Sequence, residues 1–569
     1  MTLISSSSHR PYSAWLSVGY LVAGAIILFA AVRLGVIVIN GSQLQYADYW
    51  LMIDSVIRPD GSVNVPGLFV FNNEHPLVIP KLIYWINIIF FAGANIPLGL
   101  FDIGIVFAQL FLVARMLGSS SLGQTERIAT FILAGALLFG LTGSWNFLKS
   151  MSGAGWLTAN FFALAAIYLR ATNKCKSAFV LAILASMSYG TGVLTWPALL
   201  VVGITLRTPG NWWKEWPYLF GLLITVLWIN SSSAGADRVA DNNILEQAQV
   251  AAAQLGFSVT NSKILGALIG WIPLIGIPLL APWLSLWAKR TQDACWIGLA
   301  TFGWSSTVLI IYGRSEVLLI SGPAARHHSI AAITWLGFAV LVLVTIRTLM
   351  AMHERRKGPE SGPALHSQAS LLPPVLAIIL LTPVIFGAMT AGFKPTETLQ
   401  NELWRHNFRA IALRLELVDD SLFMTDFSDK RFYSTKLLKD NNHYPFSDRW
   451  LGDCGLLGET MKEPADQQEV GQAGSGWRSR ALRNTQVIRG VIPEDFLRQN
   501  SIKCIVVTDT AGKVVGVGQA RAPTDEHKGS IFGALAPGGS KYYSVYVVSQ
   551  KGDVVKLQGR ILGYDFEPT

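Results

Sequence analysis

Hydrophobic and polar positions fall along this chain in long blocks. Apolar runs lie near 14–39, 97–117, 128–143, 155–170, 178–190, 193–206, 216–230, 263–283, 294–312, 328–348 and 371–391. Several approach or exceed about 18 residues, enough for a helix to span a hydrocarbon core about 30 Å thick. The blocks therefore predict an α-helical polytopic membrane protein with about eleven transmembrane helices. A further apolar run, 76–92, begins with Pro76 and contains Pro80, Lys81 and Asn87. Those residues predict an interfacial helix lying along the membrane rather than a crossing.

Beyond 391 the pattern changes. Leu399, Leu403, Phe408, Ile411 and Leu415 recur at near-helical spacing and predict an amphipathic helix over 398–418. A polar, glycine-containing patch follows at 464–476. The runs at 503–509, 513–520, 542–549 and 554–562 are rich in Val, Ile and Tyr and read as strands. Two domains are expected: a transmembrane domain at 1–391, with a first outer loop at 40–96, and a β-rich or α/β domain at 392–569. About 170 residues suffice to bury a separate core.

Composition agrees with the blocks. The chain is 51% hydrophobic and 14% charged, where a soluble domain carries about a quarter charged residues. The net charge of +9 would suit nucleic acid if it were clustered, but it is spread over short loops, so no nucleic-acid partner is expected. With the N-terminus in the cytoplasm, the inside loops hold Arg115 and Arg127; Arg170, Lys174 and Lys176; Arg207 and Lys214; Lys289 and Arg290; and Arg347, Arg355, Arg356 and Lys357. Lys149, Arg238, Arg314 and Arg326 fall on the other side. This is the positive-inside pattern, and a crossing at 76–92 would invert it. The C-terminal domain is then extracytoplasmic. No small-residue cleavage site flanks the first apolar run, so it is expected to stay as an anchor. Of the four cysteines, Cys454 and Cys504 share the outer domain. An oxidising exterior lets them pair; two buried free thiols are the alternative.

Candidate chemistry lies in the outer loops. The first carries Asp48, Asp54, Asp60, Glu74 and His75 among Tyr46, Tyr49, Trp50 and Tyr84. Ionisable groups at a membrane edge are costly to hold and mark function by default. Asp54 and Asp60 read as solvated, the latter within the turn Pro59-Asp60-Gly61. Asp48 and the Asn73-Glu74-His75-Pro76 group do not. A second loop holds Trp145, Asn146 and Lys149. A third holds Tyr312-Gly313-Arg314 and then Arg326-His327-His328. Arg314 and Arg326 break the inside-charge pattern and flank one short loop. Two guanidinium groups suit a phosphate or pyrophosphate. The histidine pair could add donors or, less commonly, ligate a metal. No ligand spacing such as CxxC is present, so a divalent metal is possible but not indicated. An acid beside basic groups at a membrane surface fits glycosyl transfer from a lipid phosphate. A carboxylate would activate the acceptor hydroxyl, and arginines would stabilise the leaving phosphate.

These residues resemble the layout of the GT-C glycosyltransferases, polytopic enzymes that use polyprenyl-phosphate sugars and include protein O-mannosyltransferases and lipid A aminoarabinose transferases. The matching positions are Asp48, then Glu74-His75-Pro76-Leu77, then Tyr84-Trp85 and Phe91-Ala92-Gly93. Leu77 replaces the second proline of the family motif, Gly93 comes one residue late, and no Asp-x-Asp is present. The chain is also similar to a group of bacterial membrane proteins with Asn-Glu-His, Gly-x-x-x-Trp-Pro and Tyr-x-Arg. The corresponding residues are Asn73-Glu74-His75, Gly192 through Trp196-Pro197, and Tyr312-Gly313-Arg314. The resemblance covers roughly 14–391. It implies a multi-pass protein of the bacterial cytoplasmic membrane. The enzyme would move a sugar from a polyprenyl-phosphate donor to an envelope glycan, lipid or protein acceptor. Asp48 would be the base, with Glu74 and His75 orienting acceptor or base. Tyr46, Tyr49, Trp50, Asn73, Trp145, Asn146, Lys149, Arg314, Arg326 and His327 would bind substrates. The rival readings are a glycolipid transporter or flippase and a non-catalytic envelope scaffold.

Overall fold

A computed structural model describes residues 10–45, 48–72, 75–206, 212–232, 243–357, 363–393, 396, 408–417, 435–447, 452–461, 472–475, 485–492, 501–520, 530–540, 542–557 and 561–562. Contacts divide the chain into two compact units, each discontinuous in sequence. One comprises 1–40, 65–83 and 96–397; the other comprises 41–64, 84–95 and 398–569. The second unit's C-terminal part begins near the expected boundary at 391/392. The loop segments 41–64 and 84–95, expected with the transmembrane domain, group with that part instead.

The helices are α1 (Arg10–Ile39), α2 (Asp48–Val56), α3 (Val65–Leu68), α4 (Val78–Phe91), α5 (Asn95–Gly118), α6 (Gln124–Leu138), α7 (Ser144–Leu148), α8 (Ser150–Ala171), α9 (Cys175–Ser186), α10 (Thr195–Leu206), α11 (Trp216–Ser232), α12 (Ile244–Phe257), α13 (Lys263–Pro282), α14 (Ala294–Ser321), α15 (His328–Lys357) and α16 (Pro363–Thr390). Among the described residues eight helical stretches are long and apolar enough to cross a membrane, and they coincide with eight of the eleven expected crossings. The expected crossings at 178–190, 193–206 and 216–230 are apolar helices shorter than 18 residues. The first two meet at Gly190-Thr191-Gly192, where a 3-10 turn replaces the α-helix.

Direct contacts sort the loops of the first unit into two ends. At one end Ser121 donates its N–H and Oγ–H to Asp293, at 2.9 and 2.7 Å. There Arg347 Nε also donates to Glu126 at 2.6 Å, and Arg170 pairs with Glu215. Each of the five loops expected to be cytoplasmic thus contributes at least one residue to these contacts. At the other end Ile79 N–H donates to the Met187 carbonyl at 3.2 Å, and Gly392 N–H donates to Asn261 Oδ1 at 3.0 Å.

Lys81, one of the polar residues of the expected interfacial helix, is buried. It is 1% exposed, and its ammonium donates to the carbonyls of Gly67 and Val70 at 2.9 and 2.6 Å. A buried ammonium needs such acceptors. The turn after α3 supplies them.

In the second unit, β1 (Gln472–Ser475), β2 (Thr485–Ile492), β3 (Ile502–Thr508), β4 (Val514–Ala520), β5 (Ser530–Pro537), β6 (Tyr542–Ser549) and β7 (Val554–Lys556) form an antiparallel sheet in the order β1-β2-β5-β4-β3-β6-β7, with β8 (Ile561–Leu562) on β6. Alternation places Ile505, Val507, Val545 and Val547 on one face and Cys504, Val506, Tyr546 and Val548 on the other. Of the expected helix, residues 408–417 are described; 408–414 are helical and 415–417 are not, and Ile411 and Ala412 pack on Val517 and Leu535. The Arg414 guanidinium donates to Asp453 at 3.0 Å. Cys454 and Cys504 form a disulfide, which ties the 452–461 segment to the second face. The outer-loop segments join this unit through backbone: Tyr444 N–H donates to the Ala92 carbonyl at 2.8 Å.

Candidate functional site

The expected residues that come together lie in the first unit. Pro76 and Leu77 are buried ahead of α4, and they hold His75 at the head of that helix. Arg314, within α14, donates from Nη2 to His75 Nε2 at 3.3 Å. A guanidinium only donates, so His75 Nε2 is the acceptor and its ring proton sits on Nδ1. One face of the His75 ring stacks on Tyr189 with centroids 4.1 Å apart. Tyr189 in turn lies 4.0 Å from Trp156, and Trp156 meets His327 at 5.3 Å. Four rings from four parts of the chain thus form one ladder, with Arg314 at one end.

Glycine permits this packing. A Cβ on Gly190 would lie 2.9 Å from His75 Nδ1, and one on Gly155 would lie 3.1 Å from the Tyr189 ring. The 3-10 turn at Gly190–Leu194 carries Tyr189 into place.

His327 ends the ladder. It is 1% exposed, and neither ring nitrogen has a hydrogen-bond partner among the described residues. Buried polar groups without partners are uncommon and call for an explanation. His75, Arg314 and Arg326 all lie within electrostatic reach of it. Its turn is held from two sides. Asn146 Nδ2 donates to the Arg326 carbonyl at 3.0 Å, and Gln254 exchanges two hydrogen bonds with the backbone of Ala324, at 2.8 and 3.2 Å.

The histidine pair does not act together. His328 faces away, between Ser258 Oγ at 3.1 Å and the Leu137 carbonyl at 2.8 Å. Both its nitrogens are used in packing the helices. Among the described residues no group of three His, Cys, Asp or Glu side chains is placed to hold a metal ion.

Lys149 stands at the elbow between α7 and α8, its Nζ 3.1 Å from the centre of the Trp145 ring, a cation–π contact. Beneath that elbow lies Asp102 of α5, fully buried, with neither carboxylate oxygen partnered among the described residues. A Cβ on Gly153 would meet Asp102 Oδ2 at 2.4 Å and the Asn146 carbonyl at 2.1 Å, so acid and carbonyl share that pocket.

Tyr49 and Trp50 belong to the second unit. Both are buried, Tyr49 packs edge-on against Trp50 and Tyr84, and Trp50 Nε1 donates to the Gln45 carbonyl at 3.1 Å. Burial raises the pKa of the Tyr49 hydroxyl and keeps it protonated. Both rings serve as packing in this unit. Asp48 begins α2, but its side chain, like Tyr46, Asn73 and Glu74, lies outside the described residues.

Sequence reasoning missed Tyr189, Trp156 and the depth of Asp102. No protein-family model matches the chain, and neither does a curated protein or a solved structure.

Proposed function

We propose that this chain is a membrane glycosyltransferase of the GT-C type. It transfers a sugar from a polyprenyl-phosphate donor to an envelope glycan, lipid or protein at the outer face of the bacterial cytoplasmic membrane. The observation that supports this reading most is the cluster of Arg314, His75 and His327 at the end of the first unit opposite its basic loops. Guanidinium and imidazole donors at a membrane edge suit the phosphate of a lipid-linked sugar. In the reaction, an acceptor hydroxyl gives its proton to the Asp48 carboxylate as its oxygen bonds to the anomeric carbon. The bond from that carbon to the phosphate oxygen breaks, and polyprenyl phosphate leaves with the electron pair. Arg314 and Arg326 stabilise the charge that collects there. Glu74 and His75 orient the acceptor or the base.

The test uses the full chain in sealed proteoliposomes, sorted by orientation, with a panel of radiolabelled polyprenyl-phosphate sugars and an impermeant acceptor. Asp48→Asn should lower transfer by about 10²- to 10⁴-fold, the usual worth of a positioned proton acceptor, with insertion intact. Arg314→Ala should mainly weaken donor use. Near-normal transfer by the Asp48→Asn variant would remove the assigned base, and transfer only to acceptor on the basic-loop side would reverse the sidedness.

Asp102 favours a second reading, translocation of a glycolipid. Acidic groups buried in spanning helices mark pathways for ions or substrates. On that reading the parent chain moves a fluorescent glycolipid between leaflets and shows no sugar transfer, and Asp102→Asn abolishes the movement.

A further inference from the structure

Between α10, α13 and α14 of the first unit lies a cavity of about 300 Å³, at the small end of ligand pockets, which run about 300–1,000 Å³. Its walls include Val201 and Ile204 of α10, Ile277 and Ala281 of α13, and Thr301 and Trp304 of α14. The gap follows from the chemistry of α13. Pro273, Pro278 and Pro282 lie within that helix and a π-helical turn follows at Trp283–Trp287. Each proline removes a backbone donor and crowds the preceding turn, so α13 cannot close evenly on its neighbours.

The polar atoms of the wall are already engaged. Ser285 Oγ is bonded to Thr205 Oγ1 at 2.8 Å. Thr301 Oγ1 donates to the Ile297 carbonyl, and Trp304 Nε1 to the Leu274 carbonyl, both at 2.8 Å. What faces the space is therefore hydrocarbon. Water would find too few partners there, and an empty space forfeits dispersion contacts along its lining.

The surroundings indicate what fills it. Ile275, Leu279 and Leu286 are exposed on the outside of the same helix and the turn after it, so the cavity is continuous with an apolar face of a membrane-spanning stretch. One step further along the chain Trp287 is 80% exposed, and Lys289 is exposed beyond it. Trp213 and Trp216 stack on one another, both exposed, at the start of α11, next to the α10 end that carries Thr205. Hydrocarbon, then tryptophan, then cation is the order met on leaving a bilayer, since tryptophan collects at the headgroup level and basic groups attract anionic lipid.

We propose that this cavity is a phospholipid site. One acyl chain of an anionic phospholipid enters between α10, α13 and α14, and its phosphate rests at Lys289. The site stands at the basic-loop end, away from the His75–Arg314 cluster, and does not depend on the reading of that cluster.

The test reconstitutes the full chain in nanodiscs doped with phosphatidylglycerol that carries a diazirine on one acyl chain. After illumination, adducts are mapped by peptide mass spectrometry. Adducts should concentrate in 277–286 and 301–304, above the level on the lipid-facing residues Leu21 and Phe29 of α1. Ala281→Phe, which fills the space, should abolish that excess. Lys289→Gln should lower it about fivefold for phosphatidylglycerol, the worth of one basic residue at an anionic surface, and leave a phosphatidylcholine probe unchanged. Thr301→Leu fills the same space from α14 and serves if the first variant folds poorly. Adduct yields on 277–286 no higher than on α1, or unaltered in both filled variants, would overturn the site. A Lys289→Gln effect equal for the two probes would overturn the headgroup assignment.

Discussion

Substituting Gly190 by alanine tests whether the ring ladder is the working part of the site. The new Cβ would stand 2.9 Å from His75 Nδ1 and 3.5 Å from Cε1, so the ring must retreat by about half an ångström to reach ordinary contact. It cannot do so freely, because Tyr189 stacks on it at 4.1 Å. Overpacking of this kind costs about 1–3 kcal/mol. A shift of that size would disturb the Arg314–His75 contact, which at 3.3 Å is already near the long limit of a hydrogen bond. Since a displacement of about 1 Å in a positioned group costs about 10²-fold in rate, half of it should cost about tenfold. The assay is sugar transfer in proteoliposomes, with thermal unfolding read on the same samples. His75→Ala removes the clash, so the two substitutions together should destabilise less than their sum, as coupled neighbours do. A wild-type rate and melting temperature for Gly190→Ala, or strict additivity with His75→Ala, would refute the reasoning. The unfolding arm reads out even if the transfer reaction is wrongly assigned.

Arg347→Met should lower stability by about 3 kcal/mol, the low end for breaking a buried ion pair, because Glu126 is 1% exposed while Arg347 is 33% exposed. A second substitution, Glu126→Leu, should recover most of that loss in thermal unfolding. In the second unit, burial lowers the pKa of His443 from its usual value to about 4. Between about 4 and 6.5 the unfolded chain therefore binds the extra proton and the native one does not, so stability rises with pH across that window. Proteolysis of the C-terminal unit should accelerate as pH falls from 6.5 to 4, and His443→Phe should flatten the dependence; an unchanged profile would remove His443 as its source.

Much of the membrane domain was legible because a spanning helix announces itself by length and apolarity alone, a local property of the chain. Two of the crossings that came out short, 178–190 and 193–206, meet at the turn containing Gly190 and Gly192, which breaks the helix through backbone geometry. In the second unit β3, β4 and β6 were legible as Val, Ile and Tyr runs. Strands β2 and β5, TQVIRGVI and SIFGALAP, were not read: in β5 glycine, alanine and proline disfavour a strand until neighbours pair with it, whereas the Val and Ile of β2 carried a strand signal that was missed. The grouping of 41–64 and 84–95 with the C-terminal part rests on contacts such as Tyr444 to Ala92. Hydrogen bonds between residues hundreds of positions apart leave no local pattern.

The site shows the same division between local and non-local information. Arg314 and Arg326 were visible because they violate the charge asymmetry of the loops. Tyr189 and Trp156 violate nothing: an aromatic residue in an apolar run reads as core, and both are indeed buried or half-buried. The one signal for Tyr189 was its place beside the Gly190–Gly192 turn, which says that the backbone bends but not what the bend delivers; Trp156 had none. The partners of Lys81 were hidden for the complementary reason. A cation in an apolar helix has two stable solutions, a headgroup or a buried set of acceptors. Here the acceptors are main-chain carbonyls of Gly67 and Val70, which every residue carries and no side-chain pattern marks. Polar residues that break an apolar pattern therefore identify where chemistry or structure is concentrated, while the partner that decides between the two is set by the tertiary fold.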